Sequence, residues 1–338
     1  MKTSDFDYHL PEALIAQHSV EPRDSSRLLV LERLAKRIEH RKFFEIGDYL
    51  KAGDLLVMND TKVFKARLKT SLRGKNIEIF LVRPTSAGWL GLAKPRKYLI
   101  FGEEIKLGKI SFKVSAMPPD GTVIFQTDAT AEEVLAMTDE LGEIPVPPYV
   151  KEVPTDFSKY QTAVARVTGS VAAPTAAFHF TPELIEKLKV RGIEFAFLTL
   201  HVGLGTFLPV KTENLEDHPM HAEWVSLPAE TAAAINLAKA QNRRVIAVGT
   251  TTTRALEAVA LQDSGQLLSY SGEVNIFIRP GFEFEIIDGL ITNFHLPKST
   301  LLALVSAFAG RERILAAYED AIQLGYRFYS FGDAMLIY

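Results

Sequence analysis

Cysteine is missing altogether from this 338-residue chain. That excludes a disulfide framework, a thiolate nucleophile and a thiolate-ligated metal. Long hydrophobic runs are missing too. The best, "LLALVSAFAG" at 301–310, is about half of the ~20 residues a membrane span needs. The opening "MKTSDFDYHLPE" lacks the apolar stretch of a signal peptide, and there is no low-complexity tract or internal repeat. These absences lead to the expectation of a cytoplasmic protein without membrane contact. No charge of one sign dominates, since 38 basic residues stand against 41 acidic ones. A 47% hydrophobic composition at this length suffices for two buried cores.

The charge is nevertheless unevenly spread. Residues 61–100 carry ten basic side chains against one acid, Glu78, whereas residues 101–150 carry three basic and nine acidic ones. Such a local excess can grip a phosphate backbone even on a slightly acidic protein. A solvated strand face with acids folded over it is the plainer alternative. Lys62, Arg67, Lys94, Arg96 and Lys97 are the expected nucleic-acid contacts.

The texture of the chain changes twice. "GDLLVMND" reads as a strand closed by the turn residues Asn59 and Asp60. From about residue 64, "KARLKT", "NIEIFLV", "GWLGLA", "EEIKLGKISFKVS" and "GTVIFQT" are short strand-like runs between Gly, Pro and Asn turns, followed by a helical "TAEEVLAM". Their spacing predicts a small all-β barrel. The proline-rich "GEIPVPPYV" at 142–150 reads as a rigid linker or return crossing. Beyond it, strands and helices alternate. "TPELIEKLKVRG" has Thr181 as N-cap, Pro182 at the first helical position and Gly192 as stop. The predicted fold class is α/β plus all-β: a mixed three-layer α/β domain formed by residues 1–63 and 151–338, with a small β-barrel domain, residues 64–150, inserted into it.

In open α/β sheets, ligands bind where strands turn into helix N-termini. Four segments place reactive groups at such junctions. They are "AAPTAAFHF" with His179, "HVGLGTF" with His201, Gly203, Gly205 and Thr206, "GTTTTR" with Thr250, Thr252 and Arg254, and "TNFHLPKST" with Asn293 and His295. Each alone has a bland reading: a satisfied core histidine, or a helix cap without P-loop spacing. Together they point to one shared site. "EDHPMHAEW" adds His218, His221 and Glu223, a set able to ligate zinc or to supply a base and its orienter. A surface turn around Trp224 is the alternative. The terminal "YRFYSFGDAMLIY" offers Asp333, or simply docks as a last strand, and "SSRLL" offers Arg27.

As a set these blocks resemble the S-adenosylmethionine:tRNA ribosyltransferase-isomerase family of the queuosine branch of tRNA modification. The similarity extends to "DFDYHLPEALIAQHSVEPRDSSRLLVL" and "GDLLVMNDTKVFKARL", so it runs nearly end to end in order. The chain departs from the family's usual pattern at Ala177 and Phe178, in place of Gly-Leu, and at Phe331, in place of Tyr. The resemblance implies transfer and isomerisation of the ribosyl group of S-adenosylmethionine onto 7-aminomethyl-7-deazaguanine at the tRNA wobble position. Epoxyqueuosine-tRNA, adenine and methionine are the implied products. It also implies tRNA and S-adenosylmethionine as partners, with no metal and no separate cofactor, and a monomer is expected. The implied course removes a proton from the 5′-carbon beside the sulfonium, expels adenine, joins the tRNA base's amine to the former anomeric carbon, and closes an epoxide as methionine leaves.

On that reading His179, His201, His221 and His295 are the acid–base candidates, with Glu223 orienting one of them. Arg254 is the expected clamp for the methionine carboxylate. Arg27, Pro174, Thr175, Gly203, Gly205, Thr206, Thr250, Thr252, Asn293 and Asp333 are expected around the substrate. The basic run from Lys62 to Lys97 becomes the expected tRNA grip. Two further classes stay open on the residues alone: a metal-dependent hydrolase built on His218, His221 and Glu223, and a non-catalytic RNA-binding module built on the basic run.

Overall fold

The structure, a computed structural model, describes residues 1–35, 37–203, 210–220, 222–262 and 266–338. The chain opens with β1 (Arg27–Glu32), β2 (Arg37–Lys42), β3 (Leu55–Asn59) and the short β4 (Thr61–Val63). Six strands follow: β5 (Arg67–Leu72), β6 (Lys75–Thr85), β7 (Gly88–Lys94), β8 (Glu104–Leu107), β9 (Ile110–Ala116) and β10 (Val123–Gln126). Helix α1 (Ala131–Leu141) closes that run, and β11 (Val167–Ser170) returns to pair with β4. Then come α2 (Pro182–Val190), β12 (Glu194–His201), β13 (Glu223–Leu227), α3 (Ala229–Ala240), β14 (Val245–Val248) and α4 (Thr250–Ala260). The chain finishes with β15 (Tyr270–Val274), β16 (Gly289–Asn293), α5 (Thr300–Ala309), α6 (Arg311–Gln323) and β17 (Ala334–Ile337).

Nine of these strands form one sheet in the order β15-β13-β12-β3-β14-β16-β17-β1-β2, with β12, β3, β14 and β16 mutually parallel at its centre. Strand side chains alternate between faces, and here both faces are covered. Leu55, Val57, Val245 and Ala247 pack toward α3, α4, α5 and α6, while Leu56, Met58, Ile246 and Val248 pack toward α2. That is why the central strands read as unbroken apolar runs rather than alternating ones. The expected three layers follow from this two-sided burial.

The other six strands form a fully antiparallel sheet, β5-β6-β7-β10-β9-β8, curled until its edges β5 and β8 approach within 8 Å between Cα atoms. Arg73 and Gly74 both take positive φ, 49° and 73°, in the two-residue turn between β5 and β6, as such a hairpin requires. Arg73 also bonds the Tyr98 carbonyl and pairs with Glu103 at 3.3 Å, stitching the two edges together. Ile77, Ile79, Leu81, Phe112, Val114 and Phe125 fill the interior, with Val134 and Met137 of α1 as the plug.

Local signals fared well where the chemistry is local. Thr181 Oγ accepts the Leu184 N–H at 3.1 Å, and Gly192 takes φ +83°. Thr130 and Glu133 close a reciprocal capping box on α1. Two readings change. "AAPTAAFHF" forms no strand: residues Thr175–His179 make a single 3-10 turn, with Pro174 in front of it. The proline-rich 142–150 segment packs firmly. Glu143 bridges to the Arg67 backbone, and Ile144, Val146 and Val150 are buried with Tyr160, Phe178 and Phe331. Phe178 and Phe331, two departures from the family pattern, stack on each other with ring centroids 5.9 Å apart.

Candidate functional site

Two cavities meet at Val202, just beyond the end of β12. The smaller, a chamber of about 80 Å³, lies over the ends of β14 and β16. Its wall includes Pro174, Thr175, Gly249, Thr250, Thr251, Asn293, His295 and Ser299, so three of the four predicted junctions converge here. Gly249 is the turn that permits this. At φ +94° it swings the chain from β14 into α4, a conformation that β-branched residues avoid. Tyr149, Tyr329 and Ser330 also line the chamber and were not singled out from sequence. Tyr329 holds φ +71°, a strained state for a bulky residue. Its N–H donates to the Phe294 carbonyl, and its own carbonyl accepts from Asn293 Nδ2 at 3.1 Å. Burial pushes the Tyr149 phenol up to about 12, so it stays neutral.

His295 sits on the chamber wall, 8% exposed. Its Nε2 meets Thr292 Oγ at 2.9 Å, and among the described residues Nδ1 has no partner. His179 lies one layer deeper. Its Nδ1 meets Ser26 Oγ at 2.7 Å and its Nε2 meets Asn293 Nδ2 at 3.2 Å, with Phe43 packed against the ring. Both of its nitrogens are engaged by protein, so its contact with the chamber runs through Asn293.

Burial pushes both His179 and His295 down to about 3, with Arg327 adding to the effect at His179. In the unfolded chain each titrates near 6.5. The stability they contribute is therefore complete above pH 6.5 and is lost as pH falls toward 3, at about 1.4 kcal/mol per pH unit for each histidine. Urea midpoints should be level from pH 7 to 8.5 and fall steadily below pH 6. A midpoint that stays level down to pH 4.5 contradicts this assignment.

The larger cavity, about 580 Å³, is a cleft between β6–β7 and the end of β12. His201 lines it at one end. Its Nδ1 meets Thr61 Oγ at 2.8 Å, its ring stacks on Trp224 at 5.1 Å and 17°, and it presses against Gly169, where a Cβ would stand 2.5 Å from Nε2. Desolvation lowers His201 to about 4, against an opposing pull from Asp60. Asp60 is itself held by the Thr199 hydroxyl at 2.6 Å and by Arg166.

The rest of the cleft is the outer face of the small barrel: Phe80, Val82, Leu90 and Leu92 as an apolar floor, with Arg67, Arg83 and Lys94 at the rim. A barrel strand normally alternates apolar-in and polar-out. The unbroken "IFLV" of β6 is the sequence signal for this outward apolar surface. Arg67, Lys69 and Lys94 continue along the adjoining groove.

Other predicted residues fall elsewhere. Arg254 is tied to Glu223 in an ion pair, with side chains 8% and 3% exposed. The Gly203 N–H also reaches Glu223, at 3.3 Å. One guanidinium nitrogen is therefore bound to a protein carboxylate, Nε and Nη2 are buried without a hydrogen-bond partner among the described residues, and Glu223 faces Arg254 rather than a described imidazole. Thr252 donates its hydroxyl to the Val248 carbonyl at 2.8 Å and faces its own strand. Asp333 receives the N–H groups of Arg27 and Arg327, at 2.9 and 2.8 Å, and ties two chain segments together away from both cavities. Arg27 lies over the Tyr326 ring and donates to the Leu324 carbonyl. Arg96 is anchored to the Pro118 carbonyl at 2.7 Å. Lys62 and Lys97 are exposed outside the cleft lining. Gly205, Thr206 and His221 lie outside the described residues. Among the described residues, no three His, Asp or Glu side chains converge as a metal site, and no helix is long and apolar enough to cross a membrane.

A family model described as "Queuosine biosynthesis protein" matches residues 3–337. Two curated proteins named S-adenosylmethionine:tRNA ribosyltransferase-isomerase, from Moorella thermoacetica and Desulfitobacterium hafniense, are each 51% identical to this chain, over the whole of both sequences. Among solved structures, the S-adenosylmethionine tRNA ribosyltransferase of Thermotoga maritima is 40% identical, covers 99% of this chain and 100% of its own, and has a TM-score of 0.58. The chain belongs to this family of queuosine biosynthesis proteins, and it is a tRNA-modifying transferase of the ribosyltransferase-isomerase type.

Proposed function

We propose that the protein transfers and isomerises the ribosyl group of S-adenosylmethionine onto 7-aminomethyl-7-deazaguanine at the wobble position of tRNA, giving epoxyqueuosine-tRNA, adenine and methionine. The observation that carries the reading is the meeting of two unlike cavities at Val202 beside His201. One is a buried chamber walled by a helix N-terminus and neutral side chains. The other is a cleft with an apolar floor and a rim where Arg67, Arg83 and Lys94 stand beside Glu78 and Asp120, with a floor suited to a base and cations suited to its phosphates. The 5′-carbon to be deprotonated lies between the sulfonium and the ribose of the substrate, and so belongs where the two cavities join. His201 stands there as a neutral imidazole. With its Nδ1–H donated to Thr61 Oγ, Nε2 carries the lone pair that accepts the proton. No step of this route draws on a metal or a separate cofactor.

Incubation with S-adenosylmethionine and tRNA bearing the 7-aminomethyl base should release adenine and methionine in equal amounts. Release of neither overturns the reading. The rim makes its own prediction. Each phosphate contact contributes about 0.9 to the salt slope of binding, so Lys69→Ala combined with Lys94→Ala should flatten the slope of tRNA affinity by about 1–2. The affinity for S-adenosylmethionine should not move. An unchanged salt slope removes the cleft from the tRNA path.

A further inference from the structure

We propose that the first turn of α4 is the subsite for the carboxylate of the amino-acid tail of S-adenosylmethionine, held by backbone N–H groups and the Thr250 hydroxyl. The inference rests on the ribosyl-transfer reading and assigns one part of that substrate to one wall of the chamber.

The first N–H groups of an α-helix have no acceptor within it, and a buried helix start needs other partners. All eleven residues of α4, Thr250 to Ala260, are buried, and its N-cap Gly249 brings no side chain to the task. The Gly249 N–H is taken by the Ile291 carbonyl and the Thr253 N–H by the Gly249 carbonyl. Among the described residues the N–H groups of Thr250, Thr251 and Thr252 have no acceptor, and they stand at the positive end of the helix dipole, where Gly249, Thr250 and Thr251 line the chamber.

The threonine hydroxyls supply the second observation. Thr252 and Thr253 turn back onto the Val248 and Gly249 carbonyls, and Thr251 stands 3.5 Å from Asn59 Nδ2. Thr250 is only 6% exposed, lines the chamber, and has no hydrogen-bond partner among the described residues. A buried hydroxyl beside three N–H groups that are unpaired among the described residues describes a seat for a small anion with several acceptor lone pairs, such as a carboxylate.

The surroundings fit the rest of the tail. Among the described residues no lysine, arginine, aspartate or glutamate lines the chamber, and Arg254, the expected clamp, is paired with Glu223. The Tyr149 and Tyr329 rings, 4.8 Å apart on the same wall, offer neutral aromatic faces of the kind that attract a sulfonium cation.

The test measures equilibrium binding of three probes: S-adenosylmethionine, its decarboxylated analogue, and 5′-methylthioadenosine, which lacks the amino-acid tail. Hydrogen bonds to a charged group are worth about tenfold or more in affinity. The wild-type protein should therefore bind S-adenosylmethionine at least about tenfold more tightly than the decarboxylated analogue. Thr250→Val should narrow that ratio several-fold and leave 5′-methylthioadenosine within twofold, which also reports that the variant is folded. Thr253→Val, whose hydroxyl and N–H both turn back onto the Gly249 carbonyl, should leave the ratio as it was. Equal wild-type affinity for S-adenosylmethionine and the decarboxylated analogue overturns the subsite and leaves the ribosyl-transfer reading standing. A ratio unmoved by Thr250→Val, or a loss shared by all three probes, overturns it as well. Failure of the wild-type protein to bind any of the three rejects the ribosyl-transfer reading itself.

Discussion

Glu223→Ala is expected to destabilise the protein by about 3–5 kcal/mol, because it leaves the Arg254 guanidinium buried without its counter-ion. The two side chains are almost fully enclosed, so solvent cannot take the place of the lost partner. Arg254→Met should cost a similar amount from the other side. The double variant Glu223→Gln with Arg254→Met should recover much of the loss, since a buried pair exchanged for neutral groups of similar size is often close to neutral. Thermal unfolding of the four proteins checks this. A drop of roughly 5–10 °C in each single variant, partly restored in the double, is the expected pattern. If Arg254 acted instead as a free clamp for substrate, Arg254→Met would weaken S-adenosylmethionine binding and leave the melting temperature where it was.

The second large effect concerns His201. His201→Phe keeps a ring against Trp224 and removes both nitrogens, so the fold should survive while kcat falls about 10²–10⁴-fold, the usual contribution of a general base. S-adenosylmethionine affinity should hold within about twofold. Two neighbours should act through the ring without touching substrate. Thr61→Val removes the partner of Nδ1 and should lower kcat by a smaller factor. Gly169→Ala places a methyl 2.5 Å from Nε2 and should displace the ring. Because burial holds His201 near 4, the wild-type rate should show no titration of this group between pH 6 and 8. A His201→Phe enzyme with wild-type kcat removes His201 from the proton transfer.

How much of this was legible in the sequence depended on the range of the forces involved. Caps and stops act within four residues, and Thr181, Pro182, Gly192 and the capping box at Thr130 were readable or sit where their spacing says. The central strands carry their burial on both faces in unbroken apolar runs such as "VIAV" at 245–248. Convergence of the junctions was also legible in outline, because strand ends feeding helix starts share one edge of a sheet. What could not be read was which way each side chain points once there. His179 and Asn293 are 114 positions apart, and only tertiary packing makes one the support of the other. The four threonines after Gly249 look equivalent in sequence. The helix turn sends Thr250 to the chamber and sends Thr252 back onto its strand. Arg254 and Glu223 each looked available for substrate until the fold brought them together. The 142–150 segment looked like a spacer because its prolines hide the alternation of Ile144, Val146 and Val150, which are buried.

In the proposed reaction the ribosyl carbons of S-adenosylmethionine end up on the tRNA base. The most direct measurement supplies S-adenosylmethionine labelled with ¹³C in the ribose and, in a parallel reaction, in the methyl group, with tRNA bearing the 7-aminomethyl base, and determines the mass of the modified nucleoside. Ribose label in the nucleoside, with methyl label leaving entirely as methionine, is the predicted result. Methyl label in the nucleoside, or ribose label that stays joined to adenine, contradicts the account.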